Sequence, residues 1–434
     1  MVSSTRPLWR ACSMLAMVAL LVSLSGCSLP FSAPAEPVEI SFACNPEDEA
    51  FYEPLIADFQ RQRSHITVNL VGYGSQFGWP EADVWDVSPF MRHFMDTYEY
   101  EPLDLTPFIE RGDPFGRQQA DFKFDRDDFG DLLDLFQDGD EVWAVPSALF
   151  VQGLYYNRDL FDRYGVDPPT VDWTWDDFLR AGQALYRPHD DIYGYTPDRD
   201  YEDPVSFIYQ NGGSIFDDVK YPTRTTFDHP ATIEALEWYA ALMYEHEAAA
   251  TPYQARQAWG IGGAVRNGIE REQLAMWTGA IMPGGDGLDG DPLEMNWGVA
   301  PLPMGKQRAA LGFVLGYVIS AQAQNPDAAW EWVVYLTHQV PLNGIPARKS
   351  VIESQEFEDQ AGEDVVAAAR ASIENVILLS AEAWEIYGQF QTFNEALNMI
   401  YSGQATAGEA MTWAQDQSHF KEEGPPPTPR GAGE

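Results

Sequence analysis

The sequence predicts an α/β protein with two lobes, and two observations support this prediction. First, the chain has 434 residues, which is more than the roughly 250–300 residues at which a single hydrophobic core stops growing. Second, short segments with the alternating pattern of strands are followed by longer segments with the apolar spacing of helices. This succession is typical of sheets that are covered by helices. We therefore expect two α/β lobes.

The N-terminal segment has the layout of a signal peptide that is removed. Two arginines precede an uncharged apolar run that ends at Gly26, and this run is shorter than the roughly 20 residues that a membrane-spanning helix needs. Residues 28–37 are rich in Ser, Ala and Pro, like a flexible tether. The sequence LSGC, which ends at Cys27, resembles the lipobox of bacterial lipoproteins. We expect residues 1–26 to be lost and Cys27 to carry a lipid; the alternative is an ordinary signal peptide with a chance cysteine.

The segment after the tether predicts a strand, a helix and two further strands. VEISFA alternates apolar and polar residues from Val38 onward. NPEDEAFYEPLIADFQRQ predicts a helix, because Asn45 can cap it and Pro46 suits its first position. ITVNLVGYG and ADVWDVSP then predict short strands. Cys44 continues the apolar face of the first strand, so we interpret it as a small buried residue, with a reactive thiol as the alternative.

The middle of the chain repeats this pattern. EVWAVPSALFVQGLYYNRDLF predicts two strand-like runs that break at Pro146 and Ser147. WTWDDFLRAGQALY predicts a helix capped by Thr174. ATIEALEWYAALMYEHE predicts a second helix that starts at Asp228 and Pro230, and QLAMWTGAIM and MNWGVAPLP predict short strands.

The last third of the chain is predicted to be mainly helical. GFVLGYVISA predicts a strand, and NPDAAWEWVVYLT predicts a helix with Asn325 as its cap. The spacing from Gln355 to Ser418 is mostly that of helices. Residues 422–434, EEGPPPTPRGAGE, predict a disordered tail.

The charge and the motifs exclude several classes of function. The chain carries 26 basic and 67 acidic residues, a formal net charge of −41. A surface of this sign repels phosphate groups, so we expect no nucleic-acid partner, and attachment to a membrane through the lipid rather than a basic patch. The cysteines and histidines lack the spacing of a zinc site, and we expect no metal and no cofactor. The sequence contains no GxSxG, HExxH or P-loop motif.

The order of the segments resembles the extracellular solute-binding protein family 1, which serves ATP-binding-cassette (ABC) importers, and in particular its sugar-binding, maltose-binding-protein-like branch. The matching stretches cover most of residues 38–420: ADVWDVSP, GLYYNRDLFDRYGVDPPTVDWTWDDFLRAGQAL, FIYQNGGSIFD, REQLAMWTGA, NWGVAPLPMG, GFVLGYVISAQAQNPDAAWEWVVYLT and GIPARKS. The resemblance implies a two-lobed periplasmic-binding-protein fold (type II-like) with the ligand cleft between the lobes.

The resemblance also implies a function and a division of the chain. We expect a monomeric substrate-binding lipoprotein that captures a sugar and delivers it to a membrane permease, either at the outer face of the cytoplasmic membrane or in the periplasm. Mono-, di- and oligosaccharides and glycerol phosphodiesters all suit such a fold. An exported carbohydrate-active enzyme or a ligand-presenting sensor is the alternative. The expected first lobe comprises residues 38–148 and 311–355, and the second lobe comprises residues 149–310 and 356–421.

Candidate ligand-binding residues follow from the resemblance and from the rule that open α/β sheets bind ligands beyond the carboxyl ends of their strands. Hydroxyl groups of a sugar need carboxylates and amides, and its C–H faces need aromatic rings. The candidates are Asn45, Glu47, Asp86, Ser88, Ser147, Tyr201, Asp203, Trp277, Gly279, Phe313 and Trp384. A place in a lobe core is the alternative for both tryptophans. Tyr155 and Tyr156 resemble the ferric-iron ligands of some related proteins, but we interpret them as packing residues.

Overall fold

The computed structural model of the chain describes residues 36–73, 80–89, 91–92, 95, 100–112, 124–197, 202–260, 264–285, 293–379 and 387–418. Within these ranges, helices and strands alternate as the sequence predicts, and the α/β prediction is confirmed. None of the helices in these ranges is both long enough and apolar enough to cross a membrane.

The strands are mostly short, with two longer ones in the middle of the sheet. They are β1 (Val38–Cys44), β2 (Ile66–Gly72), β3 (Val84–Val87), β4 (Gln137–Asp138), β5 (Glu141–Val142), β6 (Val145–Asn157), β7 (Met276–Ala280), β8 (Trp297–Pro301), β9 (Ala310–Ile319), β10 (Ile345–Pro346) and β11 (Val376–Leu378).

The helices surround this sheet. The α-helices are α1 (Glu49–Gln62), α2 (Thr106–Arg111), α3 (Arg158–Tyr164), α4 (Trp175–Ala184), α5 (Glu202–Gln210), α6 (Pro230–Tyr244), α7 (Pro252–Trp259), α8 (Ala264–Glu270), α9 (Pro326–Thr337), α10 (Lys349–Ile352), α11 (Gln355–Ala361), α12 (Glu363–Ser372), α13 (Tyr387–Tyr401) and α14 (Ala407–Gln417). Short 3-10 helices lie at Pro46–Asp48, Arg126–Asp128, Gly130–Phe136, Pro188–Asp190 and Ile373–Asn375.

The lobe division that we expect makes β6 and β9 the two strands that pass from one lobe to the other, and we call them the crossing strands. Their central residues pair with each other in antiparallel fashion, from Val145↔Tyr317 to Val151↔Gly312. Beyond this stretch β6 pairs with β7 and β8, whereas the end of β9 pairs with β3. The sheet has the strand order β10-β6-β9-β3-β1-β2, and β7 and β8 lie against the second half of β6. The residue boundaries that we expect for the two lobes stay a prediction.

Strand β6 differs from the prediction of two separate runs. The chain continues as one strand through Pro146 and Ser147, and the register against β9 shifts between Pro146 and Ala148. Pro146 lacks the N–H that a regular ladder needs, and a bulge accommodates one extra residue without ending the pairing. The break that the sequence indicates at Pro146 and Ser147 is therefore a bulge within one continuous strand.

Aromatic rings pack in the interior of both expected lobes, within one continuous cluster of buried apolar residues. In the first lobe the ring of Phe42 on β1 lies edge-on to Tyr52 of α1, with ring centroids 4.8 Å apart, and to Trp332 of α9, at 5.8 Å. In the second lobe the ring of Phe178 on α4 lies edge-on to buried Tyr195, at 5.1 Å. Edge-to-face aromatic pairs of this kind add about 0.5–1.5 kcal/mol to the stability that burial provides.

The helix caps follow the sequence closely, with three exceptions, of which the first is Asn45, whose side chain makes no capping hydrogen bond. Thr174 and Asp177 form a complete capping box at the start of α4. His229, rather than Asp228, is the capping residue of α6, and Asn325 at the start of α9 makes no capping bond but donates to the backbone carbonyl of Glu39. These exceptions change a helix terminus and leave the predicted helices in place.

Cys44 is buried, as the strand pattern predicts, with 3% of its surface exposed. Burial, followed by the charges of Glu49, Asp48 and Asp86, raises the pKa of its thiol to about 11. Such a thiol carries almost no thiolate at neutral pH, which disfavours the alternative of a reactive cysteine.

Candidate functional site

A pair of stacked phenylalanines lies where β6 and β9 run side by side between the lobes. Phe150 of β6 is directly opposite Phe313 of β9, and their rings are stacked with centroids 4.4 Å apart and planes 4° from parallel. Phe313 is 40% exposed, and Phe150 is half-buried. A large aromatic surface that is left open to solvent is informative, because aromatic rings are usually buried. This pair forms an apolar platform between the lobes.

A glycine lets the two strands approach closely beside the platform. Gly312 precedes Phe313, and a Cβ atom at this position would lie 2.5 Å from the backbone oxygen of Phe150. Any larger residue would push β9 away from β6, because real Cβ atoms do not approach an oxygen so closely. The platform therefore depends on a residue that carries no side chain.

Asp86 supplies a carboxylate on the first-lobe side of the platform. It lies in β3 opposite Tyr317 of β9, and it accepts a hydrogen bond from the Tyr73 hydroxyl. Burial raises the pKa of the Asp86 carboxyl, the hydrogen bond from Tyr73 opposes this rise, and the charge of Asp48 adds to it. Burial likewise raises the pKa of Tyr52, Tyr73 and Tyr317. Asp86 is therefore a hydrogen-bond acceptor in a poorly hydrated environment.

The structure brings the candidates that follow strands β1 and β3 to one edge of the sheet. The two strands are parallel, with Phe42 opposite Val84, so their carboxyl ends meet at the same edge. Asn45 and Glu47 are exposed there, and the Asn45 side chain donates to Asp48 over 3.3 Å.

Ser88 and Ser147 lie on either side of β9. Gly316 of β9 is opposite both Val87 of β3 and Pro146 of β6, and each serine follows one of these two residues. Both serines are half-buried. Ser147 falls at the bulge of β6, where the extra residue is not held in the strand ladder. Ser147 thus lies on β6 itself, whereas Ser88 follows β3, the strand that pairs with β9.

The structure places two of the second-lobe candidates in the interior. Trp277 is 1% exposed, and its ring stacks on that of Tyr155 at 5.8 Å. Asp203 is 4% exposed; it accepts hydrogen bonds from the Tyr195 hydroxyl at 2.7 Å and from Thr278. Their predicted contact with ligand stays a prediction, because both side chains are covered by protein in this conformation.

The remaining second-lobe residues have different environments. Gly279 is half-buried in β7, opposite Gly153 of β6. Tyr155 and Tyr156 are 0% and 5% exposed and pack in the lobe, which agrees with the packing interpretation. Within the described ranges no three His, Cys, Asp or Glu side chains are close enough to hold a metal ion.

Several predictions concern residues outside the described ranges: the signal peptide, the lipidated Cys27, the candidates Tyr201 and Trp384, and the tail 422–434. In contrast, Phe150 is a described residue of the candidate site that the sequence reasoning missed. Phe150 lies within an apolar run and not at a polar strand end, so its position gives no local signal. The pairing that places it opposite Phe313 joins residues 163 positions apart in the sequence. Its neighbour on the same strand face, Gln152, was the available signal, because a polar residue within an apolar strand often marks a site or a buried network.

Comparison with known proteins supports a relationship over most of the chain. The model of the bacterial extracellular solute-binding protein family matches residues 45–338. An arabinooligosaccharide-binding protein of Halalkalibacterium halodurans is 28% identical over 117 residues, which are 27% of this chain and 25% of that protein. A probable ABC transporter-binding protein of Deinococcus radiodurans is 30% identical over 221 residues, which are 46% of this chain and 48% of that protein. The chain thus spans about half or less of the length of these two curated relatives.

The fold is similar to that of solved binding proteins over nearly the whole chain. An ABC substrate-binding protein from Listeria monocytogenes, solved in complex with cycloalternan, superposes with a TM-score of 0.67. The superposition covers 88% of this chain and 98% of the Listeria protein, at 21% sequence identity. This likeness confirms the predicted two-lobed fold.

Proposed function

This chain belongs to the family of bacterial extracellular solute-binding proteins, and on that premise we propose that it captures a carbohydrate between its lobes and delivers it to the membrane permease of an ABC importer. In this proposal the protein binds its solute without converting it. The proposal extends to the whole chain what the matched family, residues 45–338, indicates for its central part.

The observation that carries the proposal is the exposed platform of Phe150 and Phe313. The C–H face of a pyranose or furanose ring is apolar and flat, so it packs well on an aromatic surface of this size. Ser147 lies on β6, and Asp86 and Ser88 lie on or directly after β3, which pairs with β9. Their carboxylate and hydroxyl groups can bind the hydroxyl groups of the sugar. We propose these five residues as the ligand contacts of the crossing-strand region.

Lobe closure is the proposed mechanism. A solute that contacts both lobes stabilises the closed form by as much as its affinity for that form exceeds its affinity for the open form. Strands β6 and β9 connect the lobes at the platform, and a small change of backbone angle there rotates one lobe against the other. The permease would then recognise the closed form.

The proposed location follows from the family and the N-terminal sequence. A protein of this family works outside the cytoplasm, and a lipid on Cys27 would hold it at the membrane near the permease. We propose a monomer that is anchored by this lipid.

A thermal-shift screen of the unlipidated chain from residue 28 onward tests the proposal. The panel includes arabino-oligosaccharides and cycloalternan, because the Halalkalibacterium relative and the Listeria structure bear those names, together with mono- and disaccharides. A solute present at 100 times its Kd stabilises the folded state by about 2.7 kcal/mol, which raises Tm by roughly 5–10 °C for lobes of this size.

The Phe313→Ala variant is the control, because it lacks half of the platform. A sugar that shifts wild-type Tm but shifts the variant much less supports the proposed site. Chromatography of the same sugar after long incubation separates a binding protein from an enzyme, since hydrolysis products would contradict the proposal. Peptides and polyamines complete the panel. A Tm shift with these compounds and with none of the sugars would also contradict the proposal.

A further inference from the structure

One face of helix α5 carries a buried row of polar side chains. Asp203, Ser206 and Gln210 are spaced three and four residues apart, so they lie on the same side of the helix. They are 4%, 0% and 0% exposed, respectively. We call these three residues the α5 polar row. A buried polar row is costly unless each group finds a partner, so the partners indicate what the row is for.

The partners lie on both strands that connect the lobes. The Ser206 hydroxyl donates to the side-chain oxygen of Gln152 on β6, and it accepts from the backbone N–H of Leu311 on β9 at 2.9 Å. One hydroxyl group thus joins the two crossing strands. Gln152 and Leu311 each lie two residues from the platform, since Gln152 follows Phe150 and Leu311 precedes Phe313.

The other two members of the row extend this attachment. The Gln152 amide also donates to Asp203 over 3.3 Å, and Asp203 accepts from Thr278 on β7. Gln210 donates to the carbonyl of Ala309, directly before β9, at 2.8 Å. Helix α5 therefore holds β6, β7 and the start of β9 through side chains rather than through the strand ladder alone.

We propose that the α5 polar row sets the angle at which the crossing strands leave the second lobe, and that it thereby sets the resting balance between open and closed forms. Ser206 is the central positioning residue of this device. The inference rests on the proposed function in one respect: it assumes that the lobes move about β6 and β9.

The physical reason lies in the position of the bonds. A hydrogen bond between two elements of one lobe stabilises that lobe in every lobe arrangement. The Ser206 bonds instead fix two strands at the point where they leave the lobe, so their loss frees the backbone that must bend. We infer that these bonds are stronger in one lobe arrangement than in the other, and a bond that is made fully in only one form changes the ratio of the two forms roughly fivefold when it is lost.

The test measures the distance between the lobes without any solute. Spin labels are attached to cysteines introduced by Glu53→Cys on α1 and Glu237→Cys on α6, two exposed positions in different lobes. The chain from residue 28 onward retains Cys44, which is 3% exposed and has a raised pKa, so it does not compete for the label. Pulsed electron–electron double resonance then gives the distribution of distances between the two labels, both in the Ser206→Ala variant and in the labelled protein without that substitution.

Thr232→Val is the matched control. Thr232 is 0% exposed in the same lobe, and its hydroxyl also donates one bond, to the Ser214 carbonyl at 2.9 Å, and accepts one, from the Ser214 N–H at 3.2 Å. Neither partner belongs to a crossing strand. We expect both variants to lower Tm by similar amounts, but only Ser206→Ala to change the populations of the distance distribution.

Gln152→Met supplies a second variant, because it removes the hydrogen bond between Ser206 and Gln152 by changing the residue on β6. We expect its distance distribution to resemble that of Ser206→Ala. Distributions that match the unmodified background in both variants, with Tm lowered as in Thr232→Val, would overturn the inference and leave a purely structural role for the row. Since no solute is present, a failure of every sugar to bind would contradict the proposed function without affecting this result.

Discussion

Replacing Asp86 by Asn should stabilise the protein at neutral pH and weaken its binding of solute. The Asp86 carboxylate accepts a hydrogen bond from Tyr73, and an asparagine side-chain oxygen can accept the same bond. The substitution therefore removes the charge and keeps the main contact. Because burial raises the pKa of this carboxyl, the charged form is the one that the folded protein disfavours.

The sign and size of the effect follow from that environment. A carboxyl whose pKa is raised in the folded state contributes most below its unfolded value, near 3.9, and loses this contribution as the pH rises through the folded value. Burying even an uncharged polar group costs about 1–3 kcal/mol in mutational data, and burying a charged group costs more, whereas a hydrogen bond to a charged group returns about 1.5–3 kcal/mol. We expect Asp86→Asn to gain roughly 1 kcal/mol at pH 7, or about 2–4 °C in Tm, and almost nothing near pH 4.

Thermal melts at about pH 4 and about pH 7 measure this difference, and calorimetry with the solute identified in the screen measures binding. We expect the affinity to fall about tenfold or more, because a charged acceptor is worth about 1.5–3 kcal/mol to a ligand hydroxyl. A variant that is less stable than wild type at pH 7, or whose gain is the same at both pH values, would refute the electrostatic reasoning. A stabilised variant with undiminished affinity would instead remove Asp86 from the site.

Three further predictions concern the platform, an ion pair and the anchor. Phe313→Ala should weaken sugar binding about twofold to tenfold by calorimetry, through loss of an aromatic contact worth about 0.5–1.5 kcal/mol. Tyr253→Ala, at a 71% exposed ring elsewhere, should not weaken it, and equal affinities of wild type and Phe313→Ala would exclude the platform. Asp128→Asn should cost about 3 kcal/mol in denaturant unfolding at pH 7, because Arg348 is 1% exposed and pairs with Asp128 at 3.0 Å. Although burial tends to raise the pKa of Asp128, bonds from Ser350 and Arg348 hold it below the usual range, so this cost should shrink as the pH falls below about 4; a cost that does not vary with pH would refute the ion-pair origin. Cys27→Ala should move the protein from the membrane fraction to the soluble exported fraction, and retention on the membrane would contradict a lipid anchor.

Much of the fold could be predicted because its signals are local. The strand VEISFA, the helix WTWDDFLRAGQA with its Thr174 cap and the helix after Asn325 each depend on residues within one or two turns of each other. The bulge at Ser147 and the short strand β11, in contrast, exist because of pairing with β9. A proline inside a strand and a three-residue strand look like interruptions until the partner strand is known.

The site was harder to predict, because it depends on contacts between distant parts of the chain. Asp86 and Phe313 could be chosen as polar or aromatic residues at recognisable positions, but the ring that completes the platform belongs to Phe150, and only the register of β6 against β9 brings the two together. Asp203 stays a predicted ligand carboxylate, and in the structure it accepts hydrogen bonds from Tyr195 and Thr278. Composition alone does not distinguish an acid in a cleft from an acid in a buried network.

The platform and the α5 polar row are neighbours on the same two strands, and this has a consequence for how affinity is set. Phe150 and Phe313 contact the proposed solute, while Gln152 and Leu311, two residues away on each strand, are held by Ser206. A substitution at the platform removes ligand contact, and a substitution at Ser206 changes the lobe balance that the ligand must shift. The first should alter affinity for a sugar according to how that sugar stacks, because the lost contact differs between sugars. The second should change the affinity for every sugar by one common factor, since the same conformational step precedes or follows each binding event. Measuring the affinities of several sugars for the Phe313→Ala and Ser206→Ala variants therefore separates the two contributions. If Phe313→Ala also changed the affinity for every sugar by one common factor, the platform would act on lobe closure rather than on contact with the sugar.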